Sequence, residues 1–253
     1  RGLAKASEDG QVKLTSEKVK AAREALFIFA PLASRLGMHR LKNELESAAF
    51  QILYRRQHAK VSSLAQQTHT VGGTKMTIEQ SMNRIMEDVT KEIRETLEND
   101  WVFTNATKHF SVSARVKEPY SMWRKMIRDP SKKHILDVPD AIAFRVVIES
   151  NDCVDEEVKR AYDRALCYYV QQVLVKRWAP HEDNPRFKDY IDSPKANGYQ
   201  SLHYTASTSW MGEDWKMEFQ VRSGEMHKVA EFGLASHWDY KEKGKDNQGS
   251  RPG

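Results

Sequence analysis

Trp215-Lys216-Met217-Glu218-Phe219-Gln220-Val221-Arg222 alternates without a break. Trp215, Met217, Phe219 and Val221 share one face, and Lys216, Glu218, Gln220 and Arg222 share the other. A period of two is that of a β-strand with one face buried. The same period runs through His109–Lys117, where Phe110, Val112, Ala114 and Val116 alternate with polar residues. It returns in Leu202–Trp210, where His203, Thr205, Ser207 and Ser209 form the polar set. Ala141–Ile148 is apolar except for Arg145, which suits a buried central strand. An antiparallel sheet with one wet face would also alternate. These polar faces, however, gather Arg115, Lys117, His203, Glu218, Gln220 and Arg222, and that concentration favours a ligand cradle.

Outward from the strands, the periodicity predicts helices over 119–128, 156–177 and 223–239. The N-terminal part reads as helical. Residues 1–15 are polar and expected to fray. A helix capped by Ser16 carries Val19, Leu26, Phe27 and Ala30, with Pro31 inside or just after it. Ala30–Phe50 continues helical with Gly37 as a break. Residues 59–75, ending in Gly72-Gly73, read as a loop. Met76–Leu97 places Ile78, Met82, Ile85, Met86, Val89 and Ile93 on one helical face. The polar tail after Lys241 is expected to be disordered. The expected architecture is α+β: a helical extension over 1–100, a mixed α+β domain over 101–242 and a tail over 243–253.

The chain has 253 residues, 40% hydrophobic and 30% charged, enough for a packed core under a solvated surface. Its net charge of +5 favours an anionic partner without choosing among nucleotides, nucleic acid and a membrane surface. Cys153 and Cys167 form no CxxC pair, which fits a reducing compartment. No apolar run approaches the ~20 residues that cross a bilayer. The start, Arg1-Gly2-Leu3, lacks an initiator Met and a secretory pattern, so the sequence reads as a fragment whose targeting segment would lie elsewhere.

Three constellations could carry chemistry. In the first, a strand delivers Arg115 and Lys117, and Pro119 then opens a helix. Ser121, Lys125 and Arg128 lie on one face of that helix, opposite Tyr120, Trp123 and Ile127. A helix start flanked by cations suits phosphate groups, although a basic solvated helix has the same spacing. In the second, Asp137 and Asp140 precede the buried strand, and Glu218 lies on another. Carboxylates from two strands could share a Mg2+ ion, or serve as a turn residue and a surface ion pair. Arg145, in a buried strand, needs an anion, either a protein carboxylate or a phosphate. In the third, Pro194, Asn197 and Gly198 make a turn that presents Lys188, Lys195 and Tyr199, with His203 on the strand that follows. An aromatic ring beside cations and amides suits a nucleobase with its phosphates.

At 186–203 the string RFKDYIDSPKANGYQSLH resembles the signature of the RelA/SpoT synthetase family. Further segments resemble that family in order: Arg115 to Met126, LDVPDAIAFRVV at 136–147, MEFQVRS at 217–223, EMHKVAEFGLASHWDYK at 225–241 and FAPLASRLGMHRLKNELESAAF at 29–50. The resemblance implies a mixed sheet flanked by helices, related to nucleotidyltransferases. It also implies transfer of pyrophosphate from ATP to the ribose 3′-hydroxyl of GTP or GDP, with Mg2+ as cofactor.

By the same resemblance, Arg115, Lys117, Ser121, Lys125 and Arg145 would serve ATP, and Asp140 would carry Mg2+. Glu218 would be a second ligand or the base. Lys188, Lys195, Asn197, Tyr199 and His203 would hold the acceptor, with Gln220 and Arg222 in support. Hydrolase and regulatory domains would accompany the chain in a longer protein, in the cytoplasm or, in a eukaryote, the plastid stroma. Ala114 and Val116 depart from the family's Gly and Pro, Pro119 replaces a residue that is usually not proline, and 153–185 is longer than usual. The competing expectation is a silent domain that binds guanine nucleotide and regulates a hydrolase. An RNA-binding module ranks last, because the cations stand at nucleotide-motif positions and not in basic strings.

Overall fold

The computed structural model describes residues 14–181 and 186–233. The expected frayed start, the polar tail and residues 234–239 of the expected last helix lie almost wholly outside that range.

The alternating segments become one sheet. Its strands are β3 (Thr107–Val116), β4 (Ile142–Ser150), β5 (Lys188–Asp189), β6 (Leu202–Trp210) and β7 (Glu213–Ser223), in the order β3-β4-β7-β6-β5. Only β4 and β7 run parallel, so the sheet is mixed. The register decides which residues share a face. Ala143 stands beside Arg115 on one neighbour and Glu218 on the other, Arg145 beside Gln220, Val147 beside Arg222, and His203 beside Gln220. All of these lie on one side. Phe144, Val146, Tyr204, Phe219 and Val221 occupy the opposite side, each no more than 1% exposed. Fully burying one such side chain stabilises by roughly 1.5–3 kcal/mol, and this layer sets the register.

Two helices cover the apolar face. α5 (Ile78–Glu98) buries Met82, Ile85, Val89, Ile93 and Leu97, and α8 (Glu156–Arg177) buries Leu166, Cys167, Val170 and Leu174 in the same core. α5 starts at Ile78 because Thr77 and Gln80 form a reciprocal capping box there, so the expected start at Met76 gives way. The expected loop at 59–75 is instead the second half of the helix Arg55–Ala65 followed by a hairpin, β1 (Thr68–Val71) and β2 (Thr74–Thr77). Gly72 and Gly73, at φ 55 and 77, make the two-residue turn that positive φ requires.

The N-terminal helices form the other layer. α1 (Ser16–Glu24) is capped by Thr15, whose hydroxyl accepts from the Lys18 N–H, and Ser16 is already helical. A wide π turn over Ala25–Phe29 leads into α2 (Ala30–Arg35). It sits just ahead of Pro31, which lacks the N–H for a regular α turn. Gly37, at φ 76, turns the chain into α3 (His39–Leu53), followed by α4 (Arg55–Ala65). α3 reaches α7 (Pro119–Arg128) through an aromatic cluster in which Phe50 stacks on Trp123 at 5.3 Å and meets Tyr120 at 5.3 Å. Within α7 the buried anchor is Met122, while Ile127, expected on the apolar stripe, is 58% exposed. A short helix, α6 (Trp101–Ala106), leads into β3, and α9 (Gly224–Phe232) follows β7 and ends at Gly233.

Candidate functional site

The polar face of the sheet is the floor of a cleft of about 840 Å3, walled by α3, the start of α7, the 188–199 segment and α9. Arg115, Lys117, Ser121, Arg145, Lys188, Lys195, Tyr199, His203, Glu218, Gln220 and Arg222 all line it. Residues from three expected constellations thus meet in one place, because the strands that carry them are neighbours.

At the centre lies Glu218. Its Oε2 accepts from Gln220 Nε2 at 2.6 Å, and its Oε1 lies 3.4 Å from His203 Nδ1. Burial alone would raise this carboxyl, but His203, Gln220 and Lys188 outweigh it and hold it down at about 2. His203 Nε2 meets the Tyr199 hydroxyl at 2.8 Å. Burial and the nearby Lys188 and Lys195 lower the His203 pKa, against the pull of Glu218. These partners assign a neutral imidazole that donates from Nδ1 to Glu218 and accepts from Tyr199 at Nε2.

Asp140 sits beside the cleft, one turn ahead of β4. Its Oδ2 accepts from Lys117 at 3.0 Å and from Lys125. Burial opposes ionisation, but the two ammoniums outweigh it and keep Asp140 below the usual carboxylate range. Its Oδ1 is buried with no hydrogen-bond partner among the described residues. Asp137 is not part of this group. Its carboxylate accepts from the backbone N–H groups of Lys133 and His134 and closes a 3-10 turn.

Arg145 finds a protein anion, Glu231 of α9, at 3.1 Å, and the same carboxylate oxygen meets Arg222 at 3.2 Å. Burial, then Arg222 and Arg115, bring the Arg145 pKa down to about 10, so it stays charged at neutral pH. The Nε atoms of Arg145 and Arg222 are buried and unpartnered among the described residues. Two guanidiniums share one carboxylate, which leaves positive charge directed at the cleft.

The turn at 195–198 closes through Gly198 N–H to Lys195 carbonyl at 2.8 Å, with Gly198 at φ 76. Lys195 Nζ lies over the rings of Tyr190 and Tyr199, at 4.4 and 4.8 Å from their centroids. Asn197 does not line the cleft. Its Nδ2 donates to the Ser34 carbonyl at 3.2 Å and its Oδ1 accepts from the Tyr199 N–H at 3.2 Å, so it ties the turn to α2. Sequence reasoning missed His39, Lys42, Asn43 and Ser47 of α3, as well as Tyr190 and Glu231, all of which line the cleft. The available signal was the polar face of HRLKNELES and, for Tyr190, its place inside the 186–203 string.

The floor of the cleft thus combines several cations with the ionised carboxylate of Glu218. The region found in RelA / SpoT proteins matches residues 114–245, and the chain belongs to that family. It is 34% identical over 226 residues to the bifunctional (p)ppGpp synthase/hydrolase SpoT of Escherichia coli, covering 89% of this chain and 27% of the relative. It is 34% identical over 224 residues to a GTP pyrophosphokinase of Streptomyces coelicolor, covering 88% and 22%. The small alarmone synthetase 1 of Bacillus subtilis bound to its product pppGpp overlaps 64% of this chain and 78% of that one, with 18% identity and a TM-score of 0.45. The chain spans about a quarter of the length of the curated relatives it matches. No helix among the described residues is long and apolar enough to cross a membrane.

Proposed function

We propose that this chain transfers a pyrophosphate group from ATP to the 3′-hydroxyl of GTP or GDP, yielding AMP and (p)ppGpp. The observation that carries this is the single polar sheet face. On it Glu218, an ionised acceptor, is ringed by Arg115, Lys117, Arg145, Lys188, Lys195 and Arg222 around one cleft. Phosphoryl transfer needs alignment and charge neutralisation more than covalent help from the protein. In the reaction the 3′ oxygen bonds the β-phosphorus, the bond from that phosphorus to the α-phosphate oxygen breaks, AMP leaves, and the hydroxyl proton is released.

Arg115, Lys117, Ser121, Lys125 and Arg145 form the donor side in this reading. Asp140 holds Lys117, which lines the cleft, and Lys125 beside it, and in this reading the two ammoniums serve the triphosphate. Lys188, Lys195, Tyr199, His203 and Arg222 form the acceptor side, with Gln220 fixing the Glu218 carboxylate. In this reading Glu218, held as a carboxylate by His203, Gln220 and Lys188, accepts the hydrogen bond of the 3′-hydroxyl and takes its proton. His203, donating from Nδ1, holds Glu218 in that pose. The unpartnered Oδ1 of Asp140 is a hard oxygen donor of the kind Mg2+ takes, and in this reading Asp140, with Glu218 as a second ligand, would hold the ion. When bound, the ion would neutralise phosphate charge and fix the triphosphate.

Three of the departures from the family pattern are compatible with this reading. Ala114 lies on the apolar side of β3 with Phe110 and Val112 and packs on the core, so its methyl points away from the floor that carries Arg115. Pro119 opens α7, where no N–H is needed. α8, which fills most of 153–185, covers the apolar face and not the cleft. By analogy with the relatives, hydrolase and regulatory domains accompany the chain in a cytoplasmic protein. Incubation with ATP, GTP and Mg2+ should give AMP and pppGpp, and 3′-deoxy-GTP should give neither. AMP formed equally with 3′-deoxy-GTP would mean that the ribose hydroxyl is not the acceptor.

A further inference from the structure

His39 opens α3, well outside residues 114–245, yet it lines the cleft beside the acceptor turn. Its ring stands edge-on to Tyr199, with centroids 5.6 Å apart and planes at 84°. Its Nε2 is buried and has no hydrogen-bond partner among the described residues. A buried imidazole nitrogen without a partner is destabilising unless something else satisfies it. Burial, and then the nearby cations Lys195, Lys42 and Arg222, lower the His39 pKa and favour the neutral ring, with Glu231 the opposing charge. A neutral ring suits a hydrogen bond to an uncharged polar edge, while the phosphates are served by the lysines and arginines.

The backbone around His39 is built to hold it there. Asn197, next to the turn's glycine, donates to the Ser34 carbonyl of α2. Gly37, between α2 and α3, packs so tightly that an added Cβ would lie 3.1 Å from Gly233 Cα and 3.3 Å from the Asn197 carbonyl oxygen. At Gly233, φ 70, an added Cβ would collide with the Leu36 carbonyl oxygen. Thus the α2–α3 turn, the 195–199 turn and the end of α9 meet through glycines, and their separation is fixed.

We infer that His39 is a specificity-determining residue of the acceptor subsite, where its Nε2 hydrogen-bonds the base edge of the guanine nucleotide beside Tyr199. This rests on the proposed reaction and extends its acceptor side to a helix outside the matched region. The acceptor pocket is therefore incomplete without α3.

The test uses the full chain and titrates GDP and a non-hydrolysable ATP analogue against the wild type, His39→Phe and His39→Gln. Phe keeps the ring edge against Tyr199 and removes the polar nitrogen. Gln places an amide near the Nε2 position and loses the ring. His39→Phe should weaken GDP binding about tenfold, the effect of one lost hydrogen bond, leave the ATP analogue within twofold, and raise KM for GTP with little change in kcat. His39→Gln should restore GDP binding to within about threefold of wild type. Unchanged GDP binding by His39→Phe, or an equal loss for both nucleotides, would overturn the inference. Equal GDP losses in the Phe and Gln variants would reduce His39 to a packing ring and overturn it as well. A wild-type chain that binds the ATP analogue but no guanine nucleotide would remove the proposed reaction and this inference with it. Guanine binding that His39→Phe leaves intact would remove only the inference.

Discussion

Replacing Asp140 with Asn keeps the shape of the side chain and removes the charge that Lys117 and Lys125 share. Asp140 and Lys117 are largely buried, at 13% and 20% side-chain exposure, while Lys125 is 34% exposed. Breaking a fully buried pair by removing one partner costs about 3–5 kcal/mol, and partial solvation of Lys125 reduces this to roughly 2–3 kcal/mol at neutral pH. In a chain of this size each kcal/mol moves the melting temperature by about 2–4 °C, so a fall of roughly 5–10 °C is expected. The pH dependence gives a second check. The folded state holds the Asp140 pKa below its unfolded value near 4, so its contribution is fully present above about pH 4. It is lost as pH falls through the folded value. Urea unfolding followed by circular dichroism at pH 7 should separate wild type from Asp140→Asn, and the gap should narrow as the pH falls below about 4. Equal stability at pH 7, or a gap that persists in acid, would refute the assignment of Asp140 as the counter-charge of these lysines.

Tyr199→Ala should weaken guanine nucleotide binding by about 1–3 kcal/mol and ATP binding far less, read by titration of each nucleotide; equal losses would make Tyr199 a core ring only. Ala114→Gly should lower stability by about 0.5–1 kcal/mol in urea melts and leave synthesis unchanged, because the methyl faces the core; a rise in rate would show that alanine restrains the donor side. Gly233→Ala should lower the melting temperature and guanine nucleotide affinity together, because a Cβ at that positive φ meets the Leu36 carbonyl and pushes α3 from the acceptor turn; unchanged values would mean the glycine junction is slack.

Strict periodicity carried far into the structure. The segments 202–210, 119–128 and 156–177 are the bounds of β6, α7 and α8, and the polar residues of β3, β6 and β7 share one face as their alternation implies. Elements lacking a buried period were harder to see. The hairpin at 68–77 buries only Val71 and Met76, so its strands read as polar loop, and Gly72-Gly73 was the available turn signal. Caps also escaped: Thr15 and Asp137 are ordinary polar residues until their partners are in place. Long-range approaches were the largest gap. α3 enters the cleft about 160 residues ahead of the turn it touches, and no local pattern announces that His39 meets Tyr199. Nor does any local pattern announce that Asn197 ties that turn to α2.

In the proposed reaction the transfer takes place on the polar face of the sheet, centred on Glu218. Glu218→Gln keeps the side-chain shape and a hydrogen-bonding oxygen but removes the ionised acceptor. The direct measurement is the rate of AMP release from ATP with GTP and Mg2+, in wild type and Glu218→Gln, with folding of both checked by circular dichroism. Wild type should turn over, and Glu218→Gln should be slower by about 10²–10⁴-fold while still binding both nucleotides. A folded Glu218→Gln that releases AMP at the wild-type rate would contradict the account.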